Sequence, residues 1–200
     1  MAIFLWVTGN VFIVTSMTSN HCFNVDMSRF STVNVWCAIC ATMTATFHYA
    51  IMAMTDDPTF RILLKYADWV ITAPVVRLQL CAILRIHDRK VICTSIFCTM
   101  AMLALGLCGE LVQPIDTKIM MGLWSCMISE YSTYILERHY RAIHFHHLYV
   151  YNKNLFRLYG LAYLVGVLPF AKAPDLVAAL HGVGDVLVKG SLMAFALIEH

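Results

Sequence analysis

The chain is short of charge. Of its 200 residues, 13% are Asp, Glu, Lys or Arg, against 60% apolar; soluble domains average roughly 25% and 45–50%. Mean hydropathy is +0.70. A soluble fold of this size could not hide that much apolar surface. The formal net charge of +2 is too small to imply a nucleic acid or another polyanion as partner. Internal repeats and low-complexity tracts are absent, which excludes solenoid and disordered classes. The N-terminus lacks a basic stretch and a small-residue cleavage site, so its first apolar run is expected to stay as a span. What remains is an integral membrane protein.

The eight cysteines do not change this reading. Seven lie inside apolar runs and Cys22 at the end of one, where Cys serves as a small apolar residue. Cys37-x-x-Cys40 has a metal-like spacing but no second pair, and no metal site is expected.

Seven long apolar windows cover the chain, at 3–23, 31–54, 61–84, 91–112, 119–140, 155–171 and 175–198. A spanning helix needs about 20 residues. The runs are too long for barrel strands and do not alternate. The reading is an all-α, seven-transmembrane-helix bundle, one domain over 1–200, with very short loops. Lys and Arg crowd loops 1–2, 3–4 and 5–6: Arg29; Arg85, Arg89 and Lys90; Arg138, Arg141, Lys153 and Arg157. That bias puts the N-terminus outside and the C-terminus in the cytoplasm. His144, His146 and His147 follow the fifth span and read as a solvated or headgroup-facing stretch.

Ionisable residues at mid-membrane cost about 2.5–3.5 kcal/mol each on insertion scales and by default mark function. The third window holds Asp68 and Arg77, the fifth Glu130, the seventh Asp185 and Lys189; Lys65 lies nearer an end. Asp185 and Lys189 are four apart and share a helix face. A lysine there must be paired, deprotonated or covalently occupied, and a desolvated amine can condense with an aldehyde. A buried ion pair kept for packing would look the same from this helix alone. In the third window Asp68, Thr72 and Gln79 fall on one stripe, beside Trp69 and a kinking Pro74.

Tyr66-Ala67-Asp68-Trp69 with Thr72 and Pro74, followed by Asp185-x-x-x-Lys189 in the last span, resembles the microbial (type 1) rhodopsins. The resemblance runs through all seven spans. Weaker matches are Trp6, Tyr49 and Trp124 with Tyr134-Ile135-Leu136. The compact loops resemble the rhodopsins of large viruses. The resemblance implies that Lys189 carries all-trans retinal as a protonated Schiff base. Asp68 would be principal counterion and first proton acceptor, Asp185 the second counterion, and Thr72 a hydrogen-bond donor to Asp68. Tyr66, Trp69, Val76 and Trp124 would line the polyene.

Four departures stand out. Lys65 replaces the family's Arg, implying a looser outer network. Gln79 occupies the proton-donor position and cannot give up a proton. The sixth span lacks the family's Trp and Tyr-Pro pair; in Tyr159-Gly160-Leu161-Ala162-Tyr163-Leu164, Tyr163 is the pocket candidate and Gly160 leaves the ring region open. The second span has no carboxylate, unlike many cation channels of the family. His181 extends the Asp185 and Lys189 column. Arg77 is expected to face away from retinal into an interhelix or protomer contact, with Glu130 or a lipid phosphate as partner. Glu130 is a candidate replacement donor.

The resulting expectation is a non-enzymatic, light-driven ion transporter in a lipid bilayer, most simply an outward proton pump. The acidic acceptor disfavours chloride pumping. A light-gated cation channel and a sensor acting through a partner stay open. The resemblance adds a homo-oligomer, trimer or pentamer, and protons or other small cations as cargo.

Overall fold

A computed structural model describes residues 30–139, 146–167, 180–185 and 187–189. Five long helices fill this part: α1 (Phe30–Ala53), α2 (Pro58–Ile83), α3 (Arg89–Leu111), α4 (Ile115–His139) and α5 (His146–Val167). Residues 180–185 and 187–189 are also helical, and no strand occurs among the described residues. The first window, 3–23 with Trp6, and most of 175–198 lie outside the described residues, as does His144. The five helices run from 22 to 26 residues, about 33–39 Å at 1.5 Å per residue, enough to cross a hydrocarbon layer of ~30 Å. Each packs against the next in sequence.

Short, specific signals set the boundaries. Asp57 caps α2, accepting from the backbone N–H groups of Thr59 and Phe60, with Pro58 in the first turn. Asp88 caps α3 through Lys90 N–H. At the end of α2, Arg85 N–H donates to Ala82 O and Ile86 N–H to Cys81 O. That is a Schellman closure, and it holds Arg85 at φ 54°, a left-handed conformation where glycine is the usual residue.

Four helices match their predicted windows closely. The fifth begins at His146 rather than at 155. The sequence window stopped at the polar run Asn152-Lys153-Asn154, but the helix continues past it because α4 supplies partners. Lys153 Nζ donates to Glu137 Oε1 at 2.5 Å, and Tyr149 Oη to Thr133 O at 3.1 Å.

The distribution of polarity is inverted. Thr44, His48, Asp68, Thr72, Arg77, Gln79, Ser95, Thr99, Ser132 and Asp185 are buried. Trp36, Met43, Phe97, Met127 and Leu161 are exposed. Water would not favour such an exterior; lipid does. Interhelical hydroxyl bonds tie the interior, as in Ser95 Oγ to Ser132 Oγ at 2.9 Å and Ser125 Oγ to Met102 O at 3.0 Å. Only α3 is long and apolar enough among the described residues to be recognised as a span by composition. In α2, for instance, Arg61, Lys65, Asp68 and Arg77 dilute the apolar signal. The described cysteines are all free thiols.

Candidate functional site

The buried charges converge. Lys189 Nζ lies 3.0 Å from Asp68 Oδ2 and 3.1 Å from Asp185 Oδ2. One lysine thus serves two carboxylates from different helices, all three almost withdrawn from solvent.

The carboxylates are not equivalent. Asp185 is held by donors from three other elements. Tyr49 Oη reaches Oδ2 at 2.7 Å, Trp69 Nε1 reaches Oδ2 at 3.4 Å, and Tyr159 Oη reaches Oδ1 at 2.5 Å. Among the described residues Asp68 accepts only from Lys189, through Oδ2. Its Oδ1 is buried with no hydrogen-bond partner among the described residues. The sequence expectation that Thr72 would donate to Asp68 is corrected here. Thr72 lines the adjoining cavity one turn along the helix, but its hydroxyl makes no bond to that carboxylate.

A cavity of about 290 Å³ starts at Lys189, Asp185 and Thr72 and runs between α2, α3, α4 and α5. Tyr66, Trp69, Val76 and Tyr163 line it, as expected from the sequence, and so do Tyr159 and Gly160. Trp124 does not. It is 53% exposed on the outer face of α4, so its assignment to the polyene wall is corrected. The sequence match fixed its helix but not which face it occupies. Room for the ring of Tyr163 is made by Gly109 and Gly122, where a Cβ would collide with that side chain. Tyr163 Oη then donates to Lys118 O at 3.1 Å.

Beyond Trp69 lies a second ion pair. Lys65 Nζ sits 2.6 Å from Glu110 Oε1 and 5.1 and 5.3 Å from the ring centroids of Tyr66 and Trp69. Tyr66 Oη also donates to Glu110, at 3.2 Å. His181 is packed between Trp69 and Tyr159, its ring stacked on the latter at 6.1 Å.

Sequence reasoning missed several of these roles. Glu110 sits inside the 91–112 window, so counting ionisable residues there would have found it. Tyr159 was passed over for Tyr163, and Tyr49 was noted without a partner. His48, buried beside Tyr49, donates Nδ1–H to Thr44 O at 2.8 Å and lies within electrostatic reach of Asp68. Glu130 does not stand as a free proton store. Arg157 grips both of its oxygens at 2.7 Å. Gln79 is buried in α2 outside the cavity lining.

Comparison with known proteins gives a consistent picture. Residues 1–189 match the family described as bacteriorhodopsin-like protein. The crystal structure of thermophilic rhodopsin resembles this fold with TM-score 0.64 and 18% identity, covering 96% of this chain and 91% of that one. The transmembrane domain of Salpingoeca rosetta rhodopsin phosphodiesterase does so with TM-score 0.59 and 12% identity, covering 97% of each chain. No curated protein matches the chain in sequence.

The Gly122 and Tyr163 contact is testable. Gly122→Ala is expected to destabilise the protein by about 1–3 kcal/mol in detergent unfolding, through overpacking. Adding Tyr163→Leu should make the combined loss smaller than the sum of the two. Additive losses would show that the two residues do not meet.

Proposed function

The chain belongs to the bacteriorhodopsin-like family, and we propose from that premise that it is a light-driven transporter moving protons outward. Membership implies an integral, multi-pass membrane protein with a retinal chromophore held by a lysine. The residues present fit that group. A largely apolar cavity ends at one lysine, and that lysine has a carboxylate on each side. Lys189 would hold the chromophore, while Tyr66, Trp69, Val76, Tyr159 and Tyr163 would enclose it. When bound, all-trans retinal supplies a light-driven change of shape that shifts a protonated nitrogen relative to the carboxylates.

The observation that carries the reading is the inequality of Asp68 and Asp185. A buried carboxylate is tolerable when its oxygens are hydrogen-bonded and costly when one is bare. Tyr49, Tyr159 and Trp69 keep Asp185 stable as an anion even without the lysine cation. Asp68 has Lys189 as its one hydrogen-bond donor among the described residues. Once positive charge at Lys189 moves away, taking a proton is the relief open to Asp68. Asp68 is therefore assigned as acceptor and Asp185 as permanent counterion. The Lys and Arg bias of the loops supports an outside N-terminus. That orientation places Glu110 and Lys65 on the outward side, where a released proton leaves. The reading treats 1–200 as one domain, assigns no enzymatic reaction, and includes self-association as trimer or pentamer.

Gln79 favours a second reading, because an amide cannot refill the lysine end with protons. Under that reading the protein is a light-gated cation channel or a sensor acting through a partner.

Light-induced current against voltage separates these. The proposal expects outward current at every voltage. A current that reverses sign would indicate a channel, and absent current a sensor. Proton uptake after a flash, read with a pH-indicating dye, tests Gln79. Supply from bulk makes the uptake rate fall about tenfold per pH unit between pH 5 and 9, because the rate follows proton concentration. Gln79→Glu should speed uptake and flatten that dependence. Fast, pH-independent uptake in the unaltered protein would contradict bulk supply.

A further inference from the structure

Arg77 is the buried charge that this site does not use. It lies in α2, 2% exposed. The face of its guanidinium rests on the ring of Phe156 from α5, 4.1 Å from the centroid. Its Nε and Nη2 are buried without a hydrogen-bond partner among the described residues. Those two nitrogens share one edge of the guanidinium plane, the side-on fork with which arginine grips an anion. The aromatic face offsets part of the charge, but a ring cannot accept from that edge.

Among the described residues no anion does so. Within electrostatic reach are the thiols of Cys81 and Cys98, the phenol of Tyr149 and the carboxylate of Glu130. Tyr149 donates its hydroxyl to Thr133 O. Glu130 is gripped at both oxygens by Arg157. A lone water at the fork would accept hydrogen bonds but leave the charge uncompensated in a low-dielectric interior. Access is short. Arg77 is six residues before Ile83, the last of α2, about 9 Å along the axis. The turn beyond carries Arg85 and Asp88, and the first turn of α3 carries Arg89 and Lys90, a net positive field that concentrates anions at that end.

We propose that the Nε and Nη2 edge of Arg77 is an internal binding site for a small monovalent anion of the halide class. The site is separate from the Lys189 cavity, whose lining does not include Arg77. It does not depend on the direction or nature of transport. The bound anion neutralises the guanidinium, whose face packs α2 against Phe156 of α5.

The test uses the full retinal-loaded chain in nanodiscs at constant ionic strength, with chloride or bromide exchanged for gluconate. Thermal stability should rise saturably with either halide and stay flat in gluconate. Arg77→Gln should lose the halide dependence. Arg77→Lys keeps the charge but not the fork, and should weaken the apparent affinity about tenfold or more. Bromide-soaked crystals of the unaltered protein give a readout independent of variant folding: an anomalous peak at the Nε and Nη2 edge. Halide-independent stability, a dependence that survives Arg77→Gln, or density at the fork without anomalous signal would each overturn the proposal.

Discussion

Lys189 stands within 3.1 Å of two buried carboxylates, and the rest of the bundle is arranged around that three-charge cluster. Two anions and one cation leave a net negative charge where solvent cannot screen it. Removing any one partner would strand the others, which is the costly outcome for buried ions. Neutral donors meet part of this cost. Two phenols and an indole converge on Asp185 from α1, α5 and α2. The same donors are what leave Asp68 different from Asp185, so the stabilising network and the proposed division of roles have one origin.

The membrane explains why this cluster can exist in so small a protein. With lipid outside, apolar side chains are not needed to drive an interior together, and polar groups can collect there. Ser95 with Ser132, and Tyr149 with Thr133, hold neighbouring helices by hydrogen bonds. The ion pairs of Lys153 with Glu137 and Arg157 with Glu130 sit on the flank of the α4 and α5 contact, partly exposed. Among the described residues, charge that the composition makes scarce is placed almost wholly at helix ends or in specific pairs. Arg77 is the exception, and its cost is what directs attention to its open edge.

Much of this was legible in the sequence because membrane spans announce themselves by length and because ionisable residues in them are rare. Window lengths located four of the described helices, and Asp68, Asp185 and Lys189 stood out for their depth. Spacing within one helix predicts faces reliably, which is why Asp185 and Lys189 could be paired. It does not say which face meets which neighbour. That gap accounts for Trp124, placed on the wrong side of α4. It also hides the partners of Glu110 and Tyr159, which lie 44 and 26 residues away in sequence. Such contacts follow from helix rotation and tilt, which no local pattern encodes. The start of α5 shows a milder version, since a polar run looked like a loop until α4 supplied its partners.

The central claim is that Asp68, and not Asp185, changes its protonation when light acts. Light-minus-dark infrared difference spectra of the retinal-loaded protein read carboxyl protonation directly. The account predicts a carboxylic-acid stretching band on illumination that disappears in Asp68→Asn and persists in Tyr159→Phe, which loosens Asp185 without removing either carboxylate. A band that survives Asp68→Asn and shifts instead with Tyr159→Phe would contradict it and assign the acceptor role to Asp185.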